Sequence, residues 1–315
     1  MSPDSIKNMG HSVNVRLKHL AQEQNVGFDY LLLRYAYERF LYRLGLDRRI
    51  FGKRFARLLS GLCLLFLLVF VSCATAPDSL SAVRSRGVLL VGATGDYRPM
   101  SYLEPETGAY VGFDAALAED LAAELGVRLE FVPTTWPTLM DDTLAGKFDL
   151  AVCGITITSA RKELALMSDG YLANGKTVLC RAEDAAKYTS LAAIDRPEVR
   201  VMENPGGLNE KFARANLPRA TLTIHPVNEE IPGLVASGRA DVMITEILEA
   251  EYYASQDPRL AAPLLKSPFT HGELGFLLPP GGESLLEYVN AFLAKERAAG
   301  RLDELAEQYL RGRRP

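Results

Sequence analysis

The run Glu203-Asn204-Pro205-Gly206-Gly207-Leu208-Asn209-Glu210-Lys211-Phe212-Ala213-Arg214 sets two glycines, then a carboxylate, at the start of a predicted helix. Glycine lets other groups approach the backbone closely, and the first N–H groups of a helix have no partner inside it. Such a turn can cradle an anion, so a carboxylate at its mouth raises a question of chemistry. Glu210 is either a proton donor to something held there or an early-turn carboxylate that the helix dipole favours. Arg161 ends the run Gly154-Ile155-Thr156-Ile157-Thr158-Ser159-Ala160-Arg161, just after a predicted strand. A guanidinium so placed can hold a carboxylate through two parallel hydrogen bonds, or it is an ordinary surface arginine.

Other chemistries find little footing. His11, His19, His225 and His271 show no metal-ligand spacing, and the chain has no nucleophile elbow, CxxC pair or GxxxxGK[ST] phosphate loop. Neither covalent nor metal chemistry is expected. Cys153 and Cys180 fall in apparent strands, where a small buried thiol is the default reading and a disulfide is not indicated.

The elements that must position these residues alternate in type. Gly87–Thr94 reads as a strand and 112–126 as an amphipathic helix with an aspartate at its start and a closing glycine. Strand 127–134, helix 138–146 and strand 147–156 follow, a βαβαβ series that predicts a mostly parallel sheet covered by helices. The same grammar restarts after Cys180, with strands at 199–207, 221–228 and 240–247 around helices at 208–217 and 230–238. Two α/β lobes are therefore expected, with a small-molecule cleft between them. The last two helices, 284–300 and 301–312, belong to no third sheet and should pack back on these lobes.

Charge is divided unevenly. Of 35 Lys and Arg and 39 Asp and Glu, 11 and 5 fall in residues 1–76, which carry +6; residues 77–315 hold 24 and 34 and stand at −10. So acidic a body repels phosphate backbones, and no nucleic-acid partner is expected. Residues 58–71 are an apolar run of 14, shorter than the ~20 residues of a spanning helix. With a basic flank before it and Ala74-Thr75-Ala76 after it, the run reads as a secretory signal, a buried helix or a membrane anchor being the alternative. Residues 47–76 are thus assigned as signal and 1–46 as an extension from an over-extended or fused start. Cys73 offers lipidation as a second route.

Residues 85–312 resemble the type 2 periplasmic solute-binding proteins, and within them the cyclohexadienyl dehydratases. The likeness is carried by TGDYRPMSY, GFDAALAEDLA, PTTWPTLM, GITITSAR, YLANGKT and NPGGLNEKFARANL. It implies a two-lobed α/β fold, with residues 85–180 and 269–312 forming lobe 1 and 181–268 forming lobe 2. It implies an exported, periplasmic, cofactor-independent lyase that removes water and carbon dioxide from prephenate or arogenate, with no stable membrane partner. The alternative is a non-catalytic amino-acid-binding protein of an ABC transporter. By the same resemblance Arg161 grips the ligand's carboxylate, helped by Thr156 and the backbone near Gly154. Trp136 walls the site, Tyr97 stacks over the ligand, and Gly207 and Asn209 belong to the anion cradle. Glu246 stands where relatives hold an α-ammonium with aspartate, and Glu210, its pKa raised, is the proton donor. Leu208 departs from the threonine of the dehydratases, which removes a hydroxyl from the cradle. Residues 11–45 resemble the opening helices of abortive-infection nucleotidyltransferase toxins.

Overall fold

The computed structural model describes residues 13, 15–23, 26–43 and 78–311. The expected signal, its Ala74–Ala76 cleavage site and Cys73 lie outside them. The chain divides into two compact units, Met1–Ala74 and Thr75–Pro315. In the first, helix Phe28–Arg43 contributes Leu31 to a small cluster with Leu17 and Ala21. No helix among the described residues is long and apolar enough to cross a membrane.

The second unit contains two five-stranded sheets. The first runs, in spatial order, Arg128–Pro133, Val88–Ala93, Leu150–Ala151, Leu277–Leu278, Leu166–Met167. Val88–Ala93 pairs in parallel with both neighbours, as the βαβ pattern requires, while Leu277–Leu278 enters antiparallel. The second sheet runs Thr221–Ile224, Arg200–Glu203, Val242–Glu246, Lys176–Arg181, Leu260–Ala261. Strand Lys176–Arg181 pairs antiparallel with Val242–Glu246, so the second sheet begins at residue 176 and not at 181.

Two connections join the sheets, and they pair with each other. Leu172–Asn174 and Gly272–Leu274 form an antiparallel two-stranded ribbon, Gly272 opposite Asn174. The C-terminal helix Glu283–Ala298 buries Leu285, Val289, Phe292 and Leu293, one stripe at helical spacing, in the core of the first lobe. Each such side chain adds roughly 1.5–3 kcal/mol relative to exposure. Helix Phe113–Leu125 starts differently from its sequence pattern. Gly112 is its N-cap with no side-chain cap bond, and Asp114 points inward, fully buried.

Candidate functional site

A cleft is lined from the first lobe by Tyr97, Trp136, Gly154, Thr156 and Arg161. From the second lobe come Lys176, Asn204, Gly207, Leu208, Asn209, Asn228, Glu246 and Glu249. Eight of the nine residues expected from sequence thus meet in one place. The exception is Glu210.

Arg161 sits in the short helix Ser159–Leu164, capped by the Thr158 hydroxyl. Its Nη1 donates to the Thr156 carbonyl at 2.6 Å, and among the described residues no ion pair engages it. Burial pushes its pKa down, the mark of a guanidinium short of countercharge.

Gly154 lets Tyr97 close over the turn. Its φ is +70°, and a Cβ there would lie 2.1 Å from the Tyr97 ring. Its N–H donates to Asp114 Oδ2 at 2.6 Å. Tyr171 donates to the other Asp114 oxygen at 2.6 Å. Burial still pushes the Asp114 carboxyl up to about 7. Tyr97 and Trp136 meet edge to face, centroids 6.0 Å apart, and the Trp136 Nε1 donates to Asp96 at 3.0 Å.

Glu246, at the end of strand Val242–Glu246, is paired within the protein rather than open to a ligand's ammonium. Its Oε1 accepts from Lys176 Nζ at 2.7 Å and Thr156 Oγ1 at 2.6 Å. Its Oε2 accepts from the Tyr97 hydroxyl at 2.8 Å and Asn174 Nδ2 at 2.6 Å. Burial alone would raise its pKa, but Lys176 and these donors outweigh it and keep the carboxylate below its usual range. Lys176 also donates to Asn209 Oδ1, tying the expected cradle to the ion pair.

Glu210 must be corrected. Its Oε2 accepts the Gly206 N–H at 2.6 Å and its Oε1 the Arg214 Nε at 2.8 Å. The glutamate at the third helical position reaches back over the helix start, as in a capping box, and pairs one turn on with arginine. The Gly206 N–H, reinforced by Arg214, holds its pKa down, opposite to the raised value expected. It is an ionised helix-start carboxylate.

The neutral acid in the cleft is Glu249, which sequence reasoning passed over. It lies in the first turn of helix Ile247–Gln256, 1% exposed, and accepts from Asn228 Nδ2 at 2.9 Å and from the Thr245 hydroxyl. Burial outweighs both bonds and pushes its pKa up to about 8. The signal was present: Glu246 and Glu249 stand three apart in an otherwise apolar strand-to-helix junction. Lys176 carried a similar one, a lysine heading the apolar run Thr177–Cys180. Cys153 and Cys180 are buried free thiols whose pKa burial pushes up to about 12.

Comparison with known proteins adds a lineage to this geometry. The family model for bacterial extracellular solute-binding proteins, family 3, matches residues 89–312. Cyclohexadienyl dehydratase of Pseudomonas aeruginosa is 40% identical over 263 residues, 84% of this chain and 97% of that protein. The L-cystine-binding protein TcyJ of Escherichia coli K12 is 27% identical over 231 residues, 73% of this chain and 85% of its own. Among solved structures, an ancestral amino-acid-binding protein described as a precursor of cyclohexadienyl dehydratase has a TM-score of 0.68 at 37% identity. It covers 74% of this chain and 99% of its own. The family model begins at residue 89 and lends nothing to the toxin likeness of residues 11–45.

Proposed function

The chain belongs to family 3 of the bacterial extracellular solute-binding proteins, and we propose that its cleft is a cyclohexadienyl dehydratase site converting prephenate to phenylpyruvate, arogenate to phenylalanine, or both. The observation that carries this reading is a buried carboxyl of raised pKa, Glu249, in the wall of a cleft that also holds Arg161, a guanidinium with no ion pair among the described residues. The 40% identity to the Pseudomonas aeruginosa dehydratase over nearly its whole length supports the same choice.

The chemistry needs one proton. The ring C–O bond breaks as Glu249 protonates the departing hydroxyl to water. The bond from ring to carboxylate breaks at the same time, releasing carbon dioxide, and its electron pair completes the aromatic ring. Aromatisation supplies the driving force. Arg161 and the helix-start N–H groups at Gly207–Asn209 hold the side-chain carboxylate, while Trp136, Tyr97 and Leu208 keep water from the ring. Glu249 is left ionised and regains its proton from solvent after product leaves. At pH 7 a carboxyl with a pKa of about 8 is mostly protonated, as a general acid must be.

The test is a prephenate assay on the purified protein, reading phenylpyruvate by its absorbance in alkali. Glu249→Gln keeps size and hydrogen bonding but removes the acid, so turnover should fall by ~10²–10⁴-fold. Glu210→Gln should leave turnover within a few-fold, because its carboxylate faces Gly206 and Arg214. Full activity of Glu249→Gln sinks the assignment. The second reading, a binding component of an ABC transporter, is favoured by the likeness to the L-cystine-binding protein. It predicts tight amino-acid binding without turnover. Export to the periplasm, by removal of residues 47–76 or lipidation at Cys73, belongs to both readings.

A further inference from the structure

We infer that this cleft selects 2-oxo acids over 2-amino acids of the same carbon skeleton, because Glu246 is occupied by the protein's own donors. The inference rests on the proposed function only for the choice of ligands to compare. An ionised carboxylate has about four lone-pair sites. In Glu246 four donors meet them: Lys176 Nζ and Thr156 Oγ1 on one oxygen, the Tyr97 hydroxyl and Asn174 Nδ2 on the other. A ligand ammonium has no place on this carboxylate unless it displaces one of them.

Lys176 is the hardest to displace. The Lys176 and Glu246 side chains are 8% and 7% exposed, so parting them would leave a buried ammonium without countercharge. Lys176 is held a second time by Asn209 Oδ1. Two of its three N–H donors are thereby committed, and the third remains for an oxygen acceptor on the ligand. The other cation lining the cleft is Arg161, and Glu249 is neutral. An incoming ammonium therefore meets two positive groups and one carboxylate already paired. Asn228 Oδ1, the lining side-chain oxygen that is buried without a partner, is an amide oxygen and supplies no countercharge. A 2-oxo group, by contrast, only accepts hydrogen bonds, which is what Lys176 has left to give.

The experiment is calorimetric titration of the purified protein with phenylpyruvate and with L-phenylalanine, ligands that differ only at the 2-position and do not react. Phenylpyruvate should bind at least about tenfold tighter, the factor carried by one charge-assisted hydrogen bond. Lys176→Met releases an oxygen of Glu246 and should move the ratio toward the amine by at least about tenfold. Equal or tighter binding of L-phenylalanine to the unmodified protein overturns the inference. So does a ratio unmoved in a folded Lys176→Met protein, and so does binding of neither ligand, since Arg161 can hold the carboxylate of either. Absence of prephenate turnover with the oxo-acid preference intact would instead remove the dehydratase reading and leave the selection standing.

Discussion

Replacing Asp114 by asparagine should make the protein more stable at pH 8 and abolish one component of its pH dependence. Asp114 is fully buried, with Gly154 N–H on one oxygen and the Tyr171 hydroxyl on the other. Burial lifts its pKa from an ordinary 3.8 to about 7. Between those values the unfolded chain has lost the proton and the folded chain keeps it, so stability falls as pH rises. Below about 4 both states are protonated and the penalty is absent; above about 7 both are ionised and it is complete. A difference of about three pKa units corresponds to about 4 kcal/mol. Asparagine avoids this cost, because its carbonyl accepts the Gly154 N–H and its amide donates to the Tyr171 oxygen. The assay is urea denaturation of both proteins from pH 4 to 8, taking the difference in stability at each pH. That difference should shift toward the variant by several kcal/mol across the range, nearly all of it between pH 4 and 7. Two parallel stability curves would refute the reasoning.

Gly154→Ala should destabilise the folded protein by at least ~1–2 kcal/mol from the positive φ alone. It should also weaken phenylpyruvate binding, because the added Cβ displaces Tyr97 from Glu246; unchanged urea midpoint and affinity would contradict this. If residues 47–76 are a signal, mass spectrometry of exported protein should find a new N-terminus near Pro77 or a lipidated Cys73. An intact Met1 in the cytoplasm would count against export.

The alternation of strands and helices was legible because each element carries its own period, and the resemblance of their segments pointed to Arg161, Trp136 and Tyr97, which line the cleft. What local sequence could not disclose was pairing. Lys176–Arg181 is buried along nearly its whole length and has no alternating face, so nothing in it says which sheet it joins. Glu210 misled for a related reason: a carboxylate at the third helical position looks the same whether it faces a ligand or folds back. Arg214 four residues on was the available hint. Glu249 shows the converse, since burial, with the nearby Asp96 and Glu246 carboxylates, raises its pKa, and those surroundings are a property of the assembled lobes. The same is true of Asp114, which reads as a helix cap and serves instead as a buried post beneath Gly154.

The place of Leu277–Leu278 in the first sheet bears on how the chain comes together. This strand lies between Leu150–Ala151 and Leu166–Met167, yet about 110 residues of sequence, including the whole second sheet, separate it from them. A chain emerging from the ribosome, or threading through a translocon, delivers the second sheet complete while the first still lacks a central strand and its covering C-terminal helix. The lobe that begins first must finish last. Until residue 278 arrives, the facing edges of Leu150–Ala151 and Leu166–Met167 have only water or a chaperone to meet their unpaired backbone groups. Contacts so distant in sequence also set a slow pace for closure once the whole chain is present.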